Sequence, residues 1–307
     1  MNDFVVEPVL DAQAELGEHP VWSDTQQCLY WLDIERRTLN RFDPRSVENT
    51  SWPLPARPGC FAFQADGNMV LTAADGIYAF DFATGKATLL HAPPHDPAVM
   101  RFNDGRCDRQ GRLWCGTVRT DMGMDNTGDN AYYRFDERGL VKMLTDVGLT
   151  NGTAFSPDGR TMYRAQTETR QIFAYDYDTA TGTPTGQRLF ATVPGEYGMP
   201  DGATVDAEGG YWVALSAPPG TRPFGGVMRF TPGGARDIYI ELPIPFVTMP
   251  AFGGADLATL YLTTASLAAF MPDGVPPHAG SIFAVRTGFR GAPETHFRGG
   301  PLHEPIP

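Results

Sequence analysis

The feature that most constrains this 307-residue chain is that it repeats itself. A short turn built around an aspartate, followed at once by an aromatic or β-branched strand, occurs six times. The copies are Ser23-Asp24 before Leu29-Tyr30-Trp31, Asp66-Gly67 before Met69-Val70-Leu71, and Asp108 and Gly111 before Leu113-Trp114. They continue with Pro157-Asp158-Gly159 before Met162-Tyr163, Asp206 and Gly209 before Tyr211-Trp212, and Ala255-Asp256 before Leu260-Tyr261. From one aspartate to the next the spacing is 42, 42, 50, 48 and 50 residues.

A second signature follows each first one, an aromatic strand running into another turn: Arg41-Phe42-Asp43, Phe80-Asp81, Arg134-Phe135-Asp136, Tyr175-Asp176, Arg229-Phe230 and Phe283-Ala284-Val285-Arg286. Each unit then holds about four short strands joined by tight turns. Such a unit cannot bury its apolar faces alone, and stacking neighbours around a ring solves that problem. Six units of this kind predict an all-β fold, a six-bladed β-propeller of four-stranded antiparallel blades, as a single domain over residues 1–307. The segment Phe4-Val5-Val6-Glu7-Pro8-Val9-Leu10 precedes the first unit and is expected to add the outer strand of the sixth, removing an open sheet edge. The proline-bounded stretches 53–58, 93–97 and 218–223 are read as loops within blades.

Composition agrees, since 34 glycines and 27 prolines beside 42% hydrophobic residues describe many turns around a real core. A formal charge of -12 excludes electrostatic binding to nucleic acid or an anionic membrane, though not to a cation. The four cysteines are too far apart for CxxC chemistry and read as buried thiols. Residues 1–16 lack a signal-peptide pattern, and no stretch nears the roughly 18 apolar residues of a membrane span, so a cytoplasmic protein is expected.

The phase of the repeat points to chemistry. In a propeller the innermost strands run along a central channel, so residues at one phase of each unit gather near the axis. Five to seven residues before the six turns stand Glu18, Cys60, Asn103, Asn151, Asp201 and Pro250. Taken singly, Asn151-Gly152 and Asp201-Gly202 read as hairpin turns and Asn103-Asp104-Gly105 as a loop. That reading does not explain why four oxygen-bearing residues share one phase. A converging Glu, Asp and two Asn would make a hard-cation site. No histidine shares that phase, which argues against a zinc site built on His, and no Gly-x-Ser-x-Gly elbow supports a serine nucleophile. Connections 119–130, 216–226 and 265–280 are long and emerge on the face carrying these residues, where long loops tend to be functional. Asp104 faces away from the cluster by strand alternation and is expected to be structural. Phe224, Phe246 and Met249 are expected near the mouth.

The motifs Leu16-Gly17-Glu18-His19-Pro20-Val21-Trp22, Arg101-Phe102-Asn103-Asp104-Gly105, Leu149-Thr150-Asn151-Gly152, Pro200-Asp201-Gly202 and Phe252-Gly253-Gly254-Ala255-Asp256 occur in order at blade spacing. Through them the chain resembles the family of senescence marker protein (regucalcin), gluconolactonase and luciferin-regenerating enzyme. The resemblance implies one divalent metal held by Glu18, Asn151 and Asp201, with calcium the first expectation and zinc, manganese, magnesium or iron compatible. It implies substrate contacts from Arg101, Asn103 and an acidic residue expected at Asp121, and hydrolysis of a sugar lactone with Asp201 as both ligand and base. Two other readings stay open: a calcium-binding regulatory protein without turnover, and a hydrolase of another ester, lactone or phosphoester. The chain departs from the family pattern at His19, where Gly is common, and at Ala165-Gln166-Thr167. His19 is expected to narrow the mouth or touch substrate, and the loop at 216–226 to bear on substrate choice.

Overall fold

The computed structural model describes residues 4–121, 129–217, 221–271 and 274–299. Its sheets are six four-stranded antiparallel blades, arranged as a six-bladed β-propeller. The innermost strands of blades 1 to 6 are Gly17–Ser23, Pro58–Phe63, Met100–Cys107, Thr150–Phe155, Met199–Val205 and Val247–Gly253. Burial falls from the axis outward. In blade 1 the second strand, Cys28–Asp33, is wholly buried, whereas the outermost, Glu48–Pro53, is almost wholly exposed.

Ring closure follows the expectation. Val6–Leu10 pairs antiparallel with Ile282–Arg286 of blade 6, Val6 opposite Val285 and Pro8 opposite Phe283. The sixth sheet therefore joins the two ends of the chain. Beyond blade 6 the chain also crosses the far end of the channel. There the Phe297 N–H donates to the Phe63 carbonyl at 2.7 Å, the Arg298 N–H to that of Gly111 at 2.9 Å, and Glu294 ion-pairs with Arg106.

The repeated aspartate is a turn-former. Asp108 Oδ1 accepts the N–H groups of Gln110 and Arg112, both at 2.9 Å, and Asp206 Oδ1 those of Glu208 and Gly210 at 3.0 and 2.8 Å. Asp66, Asp158 and Asp256 each accept the N–H two residues on. A carboxylate folded onto its own turn offers the backbone the partner that the strand ladder no longer supplies. In blade 1 the task falls to Ser23, whose hydroxyl accepts from the Gln26 N–H at 3.3 Å.

The apolar core lies between adjacent blades. Trp114 and Tyr132 of blade 3 pack on Phe155, Met162, Tyr175 and Tyr177 of blade 4, and a comparable cluster fills the other seams. The aromatic of the second signature is buried in every unit: Phe42, Phe80, Phe135, Tyr175, Phe230 and Phe283. Stretches 53–58 and 93–97 are not within blades: they carry the chain from the outermost strand of one blade to the innermost strand of the next. Proline suits both, because a residue leaving a sheet edge gives up no ladder hydrogen bond. Stretch 218–223 does connect two strands of blade 5, although 218–220 lie outside the described residues.

One seam ties the turn chemistry to the core. The Trp114 indole N–H donates to the Tyr177 hydroxyl at 2.9 Å, which donates to Asp108 Oδ2 at 2.6 Å. Tyr177→Phe should leave a buried indole donor without its partner and lower stability by about 1–3 kcal/mol. A urea midpoint equal to that of the wild type would show that this bridge does not hold blades 3 and 4 together.

Candidate active site

The six innermost strands share an irregularity that aims side chains at the axis. Pairing with the second strand of the blade slips between Glu18 and Val21, Pro58 and Phe61, Phe102 and Gly105, Asn151 and Ala154, and Pro200 and Ala203. Blade 6 slips between Val247 and Met249. A bulge bends its strand and redirects one residue out of the alternating pattern. Glu18, Asn103, Asn151 and Asp201 all sit at these bulges, so Asn151-Gly152 and Asp201-Gly202 are not hairpin turns. Gly152 is needed there: its φ is +62°, and a Cβ would stand 2.3 Å from the Tyr211 hydroxyl.

These side chains open into a cavity of about 160 Å³ on the face where the innermost strands begin. It gathers Glu18, Arg101, Asn103, Asn151 and Asp201, together with Thr167, Ser216 and Thr248. Asp121 is not among its lining residues. It lies at the end of the second strand of blade 3, with 58% of its side chain exposed, in an ion pair with Arg119 at 3.0 Å. Val118, Ser216 and Leu267, at the borders of the three long connections, do line the cavity. Residues 122–128, 218–220 and 272–273 of those connections lie outside the described residues.

A directed chain of hydrogen bonds crosses three blades. Arg101 Nη1 donates to Asn103 Oδ1 at 2.7 Å, and Asn103 Nδ2 donates to the Thr150 carbonyl at 2.8 Å and to Asn151 Oδ1 at 3.0 Å. Asn151 Nδ2 donates to Thr167 Oγ1 at 2.9 Å, and that hydroxyl donates to the Pro200 carbonyl at 2.9 Å. A guanidinium can only donate and a carbonyl can only accept, so both amides have one allowed orientation. Asn151 thus turns its oxygen to Asn103 and its nitrogen to Thr167, with one lone pair of the oxygen still available. Sequence reasoning found Thr167 only as a departure from a family pattern, because nothing in a threonine at a strand end signals that it orients an amide.

Buried charge sets the electrostatics. Burial, then the charges of Asp201 and Asp104, hold the Glu18 carboxyl well above its usual range. Asp201 is raised in the same way, first by burial and then by Asp104. Burial lifts Asp104 to about 6, opposed by the Thr153 N–H that its Oδ2 accepts at 2.7 Å. Its other oxygen is buried without a hydrogen-bond partner among the described residues. Asp104 therefore has the structural tie expected of it and a second effect that alternation could not reveal, since its charge is felt by both cavity carboxylates. Arg101, 2% exposed, is brought down to about 10 by burial, while Glu35 acts in the other direction. Three carboxylates face Arg101 on the cavity side and Arg106 below, and Arg106 is already paired with Glu294.

That imbalance tests whether a cation fits. Among the described residues no group of three or more His, Cys, Asp or Glu side chains gathers into a metal cage. What gathers is two carboxyls held toward their protonated form and an amide oxygen, a hard donor set that suits a divalent cation once those protons are displaced.

His19 does not reach the mouth. It adopts a φ of +49°, which explains why glycine serves well at this position. Its ring is 2% exposed, with Nε2 2.8 Å from the Phe61 carbonyl oxygen, beside Arg106 and Glu294 in the channel below the cavity. Burial lowers it to about 3, so it is neutral at working pH. Of the aromatic and thioether groups expected near the mouth, Phe246 lines the cavity, whereas Phe224 is exposed and Met249 is buried against Gly202.

The family described as "SMP-30/Gluconolactonase/LRE-like region" matches residues 16–266. The chain belongs to this family. Within it, the chain is 36% identical to the 6-deoxy-6-sulfogluconolactonase of Pseudomonas putida, over 92% of this chain and 95% of that one. It is 32% identical to a pentonolactonase of Haloferax volcanii, over 95% and 97% of the two chains. Among solved structures, a regucalcin of Agrobacterium tumefaciens described as a calcium-binding protein superposes with a TM-score of 0.85 at 28% identity, covering 96% of this chain and 98% of that one.

Asp104→Ala should have two separable effects. The Thr153 N–H loses its partner, which should lower stability by about 1–3 kcal/mol. Asp201 loses a neighbouring negative charge, so its titration should move down toward the ordinary aspartate range. Carboxyl carbon NMR of the metal-free protein reads the second effect directly, and an unmoved Asp201 would show that Asp104 does not act on the cavity.

Proposed function

We propose that the chain is a divalent-cation-dependent sugar lactonase that opens an aldonolactone to the sugar acid. The observation that carries this reading is the meeting of Glu18, Asn151 and Asp201 with Arg101 and Asn103 in one cavity. Relatives of the chain are named as sugar lactonases over nearly its whole length.

Glu18, Asn151 and Asp201 would hold the cation, calcium first among those that suit oxygen donors, with manganese, magnesium, zinc and iron compatible. When bound, the cation would supply Lewis-acid polarisation of the ester carbonyl and a counter-charge for the buried carboxylates. Asp201, in its carboxylate form, would accept a proton from the attacking water as the water oxygen bonds to the acyl carbon. The acyl–oxygen bond of the ring then breaks, and the ring oxygen takes up a proton and leaves as a hydroxyl of the same chain. Arg101 is anchored on the Phe102 carbonyl and Asn103 Oδ1, and from that anchor would orient the hydroxyls nearest the reacting centre. Asn103 acts chiefly through Asn151, since both its N–H groups and its oxygen are engaged. Asp121 would accept from a sugar hydroxyl while keeping its ion pair with Arg119. The substrate is a small molecule. We assign the protein to the cytoplasm, where its four free, buried thiols would persist. No helix among the described residues is long and apolar enough to cross a membrane.

Asp201→Ala should reduce acid release from aldonolactones by roughly 10²–10⁴-fold, measured with added calcium, manganese or zinc and corrected for spontaneous hydrolysis. Undiminished turnover sinks the assignment, and cation binding without turnover in the wild type would instead identify a binding protein. The pH dependence has a definite sign: the raised carboxyls bind protons that the cation must displace. Apparent affinity should therefore fall as pH falls, by about tenfold per unit for each proton displaced, until calorimetry detects no binding.

Thr167→Val keeps the size of the side chain and removes the hydroxyl that orients Asn151. Affinity for the cation should weaken by roughly 10–100-fold, with the fold intact by circular dichroism. Unchanged affinity would mean that Asn151 is oriented without it.

A further inference from the structure

We propose a second binding site, for the phosphoryl group of a small phosphate ester, on the face of the propeller opposite the mouth. A cavity of about 170 Å³ opens there, beside the turn that follows the innermost strand Met100–Cys107 of blade 3. In a chain of formal charge -12, four of the residues lining this one cavity are arginines: Arg112, Arg134, Arg138 and Arg298. Two carboxylates, Asp136 and Glu137, line it as well. It shares no lining residue with the cavity that gathers Glu18, Asn151 and Asp201, so the site stands apart from the lactonase reading.

Two of the arginines are built into the floor. Arg112 Nη2 donates to the carbonyls of Thr179 and Ala180 at 2.8 and 3.0 Å, and Arg134 Nη1 to those of Thr181 and Gly182 at 2.7 and 3.0 Å. Both therefore reach from blade 3 onto one turn of blade 4. Gly182 admits them, since a Cβ there would stand 2.6 Å from Arg112 Nη1 and 2.9 Å from Arg134 Nη1. Each also has a carboxylate of its own, Asp108 for Arg112 and Asp136 for Arg134, both at 2.9 Å. These pairs balance the charge of the floor without using all its donors. The Arg134 side chain is 7% exposed, yet its Nη2 has no hydrogen-bond partner among the described residues and is not sealed off by its neighbours. A fixed guanidinium thus keeps two N–H groups for the cavity it lines.

Arg138 and Arg298 stand at the exposed rim, and their guanidinium groups make no ion pair or hydrogen bond among the described residues. Arg138 lies in the turn after Ala131–Asp136, on the outer side of blade 3. Arg298 lies on the segment that crosses the far end of the channel, where its stem packs over Gly111. Donors are therefore supplied from the floor and from two sides of the rim. Beyond the two internal pairs, Arg138 and Arg298 outweigh Glu137, which leaves positive charge for an anion. A planar carboxylate offers such a set two oxygens, whereas a phosphoryl group offers three around a tetrahedron and more charge. The space is larger than a phosphoryl group alone, which leaves room for the organic part of an ester.

Calorimetry on the full-length, metal-free protein at low ionic strength tests the site, with glucose 6-phosphate and inorganic phosphate as probes and gluconate as the carboxylate control. Both phosphates should bind saturably and more tightly than gluconate, and should bind Asp201→Ala as they bind the wild type. Arg138→Gln and Arg298→Gln should each weaken glucose 6-phosphate by about tenfold or more, the share of one charge-assisted hydrogen bond. Glu137→Gln should strengthen it by about two- to fivefold, a change of opposite sign that a loosened structure could not produce. The site is overturned if neither phosphate binds saturably, if gluconate binds as tightly as the ester, if binding is lost in Asp201→Ala, or if the three rim substitutions leave affinity unchanged. None of these results bears on the lactonase reading, which stands or falls on acid release.

Discussion

Six strands brought side by side around one axis leave their inner residues no solvent and few neighbours within their own blade. A polar group placed there finds few partners on its own strand, and most of the bonds made at the axis reach the next blade. The rest of the site follows from that constraint. Arg101 on blade 3 reaches Asn103, Asn103 reaches Asn151 on blade 4, and Asn151 reaches Thr167, which closes onto Pro200 of blade 5. Lower in the channel, Asp104 of blade 3 accepts from Thr153 of blade 4, and Arg106 Nη2 donates to the Ala203 carbonyl of blade 5 at 3.2 Å. The blades are thus stitched at the axis by polar groups and at the seams by aromatic ones. The ring holds its site in place because the groups that build the site are also the stitches.

The same convergence accumulates charge of one sign. On top of what burial does to all three, Asp201 and Asp104 raise the proton affinity of Glu18, and Asp104 raises that of Asp201. Their folded-state values lie above those of an unfolded chain, so they favour folding when protonated. That contribution is present below the unfolded carboxyl range and is lost as pH rises through the folded values. In the metal-free protein the site therefore works against stability at neutral and higher pH, and a cation that binds only the folded state offsets this by mass action. Channel polarity bears on function through this strain: where charging the carboxyls is costly, a positive charge beside them would be stabilising.

Much of this was legible in the sequence, and the limits have physical causes. The turn aspartates were readable because an Asx turn needs its carboxylate at a fixed offset, and Asp66, Asp108, Asp158, Asp206 and Asp256 all keep it. The closing strand was readable from its place before the first unit. Glu18, Asn103, Asn151 and Asp201 could be grouped because a ring converts equal phase into proximity, although the bulges that aim them leave no sequence mark beyond a glycine such as Gly152. Connectivity at the blade boundaries was read wrongly at 53–58 and 93–97, since proline marks the end of a strand without saying which strand comes next. His19 was expected to bear on the mouth because it stands where the family commonly has glycine, although strand parity already pointed it away from Glu18; with its positive φ, its ring lies down the channel at Phe61. The role of Thr167 could not be read, because a hydroxyl that orients an amide looks in sequence like any other strand-end residue, and of the apolar residues lining the cavity only Phe246 was expected there.

The direction of the hydrogen bonds links the stitching to the chemistry. An amide side chain is nearly symmetric in shape, so packing alone would let Asn151 present either its oxygen or its nitrogen to the cavity. A nitrogen there would present donors to the cavity in place of an acceptor, with the outline of the side chain unchanged. The two ends of the chain remove that freedom. Arg101 can only donate, so Asn103 must receive it with oxygen and pass a donor on to Asn151. The Pro200 carbonyl can only accept, so Thr167 must give up its proton there and receive from Asn151 nitrogen. Both constraints demand the same orientation. Because Arg101 stays charged even at the value of about 10 to which burial brings it, the orientation holds through the neutral range. The orientation of the Asn151 amide on blade 4 is therefore set by a guanidinium on blade 3 and a backbone carbonyl on blade 5.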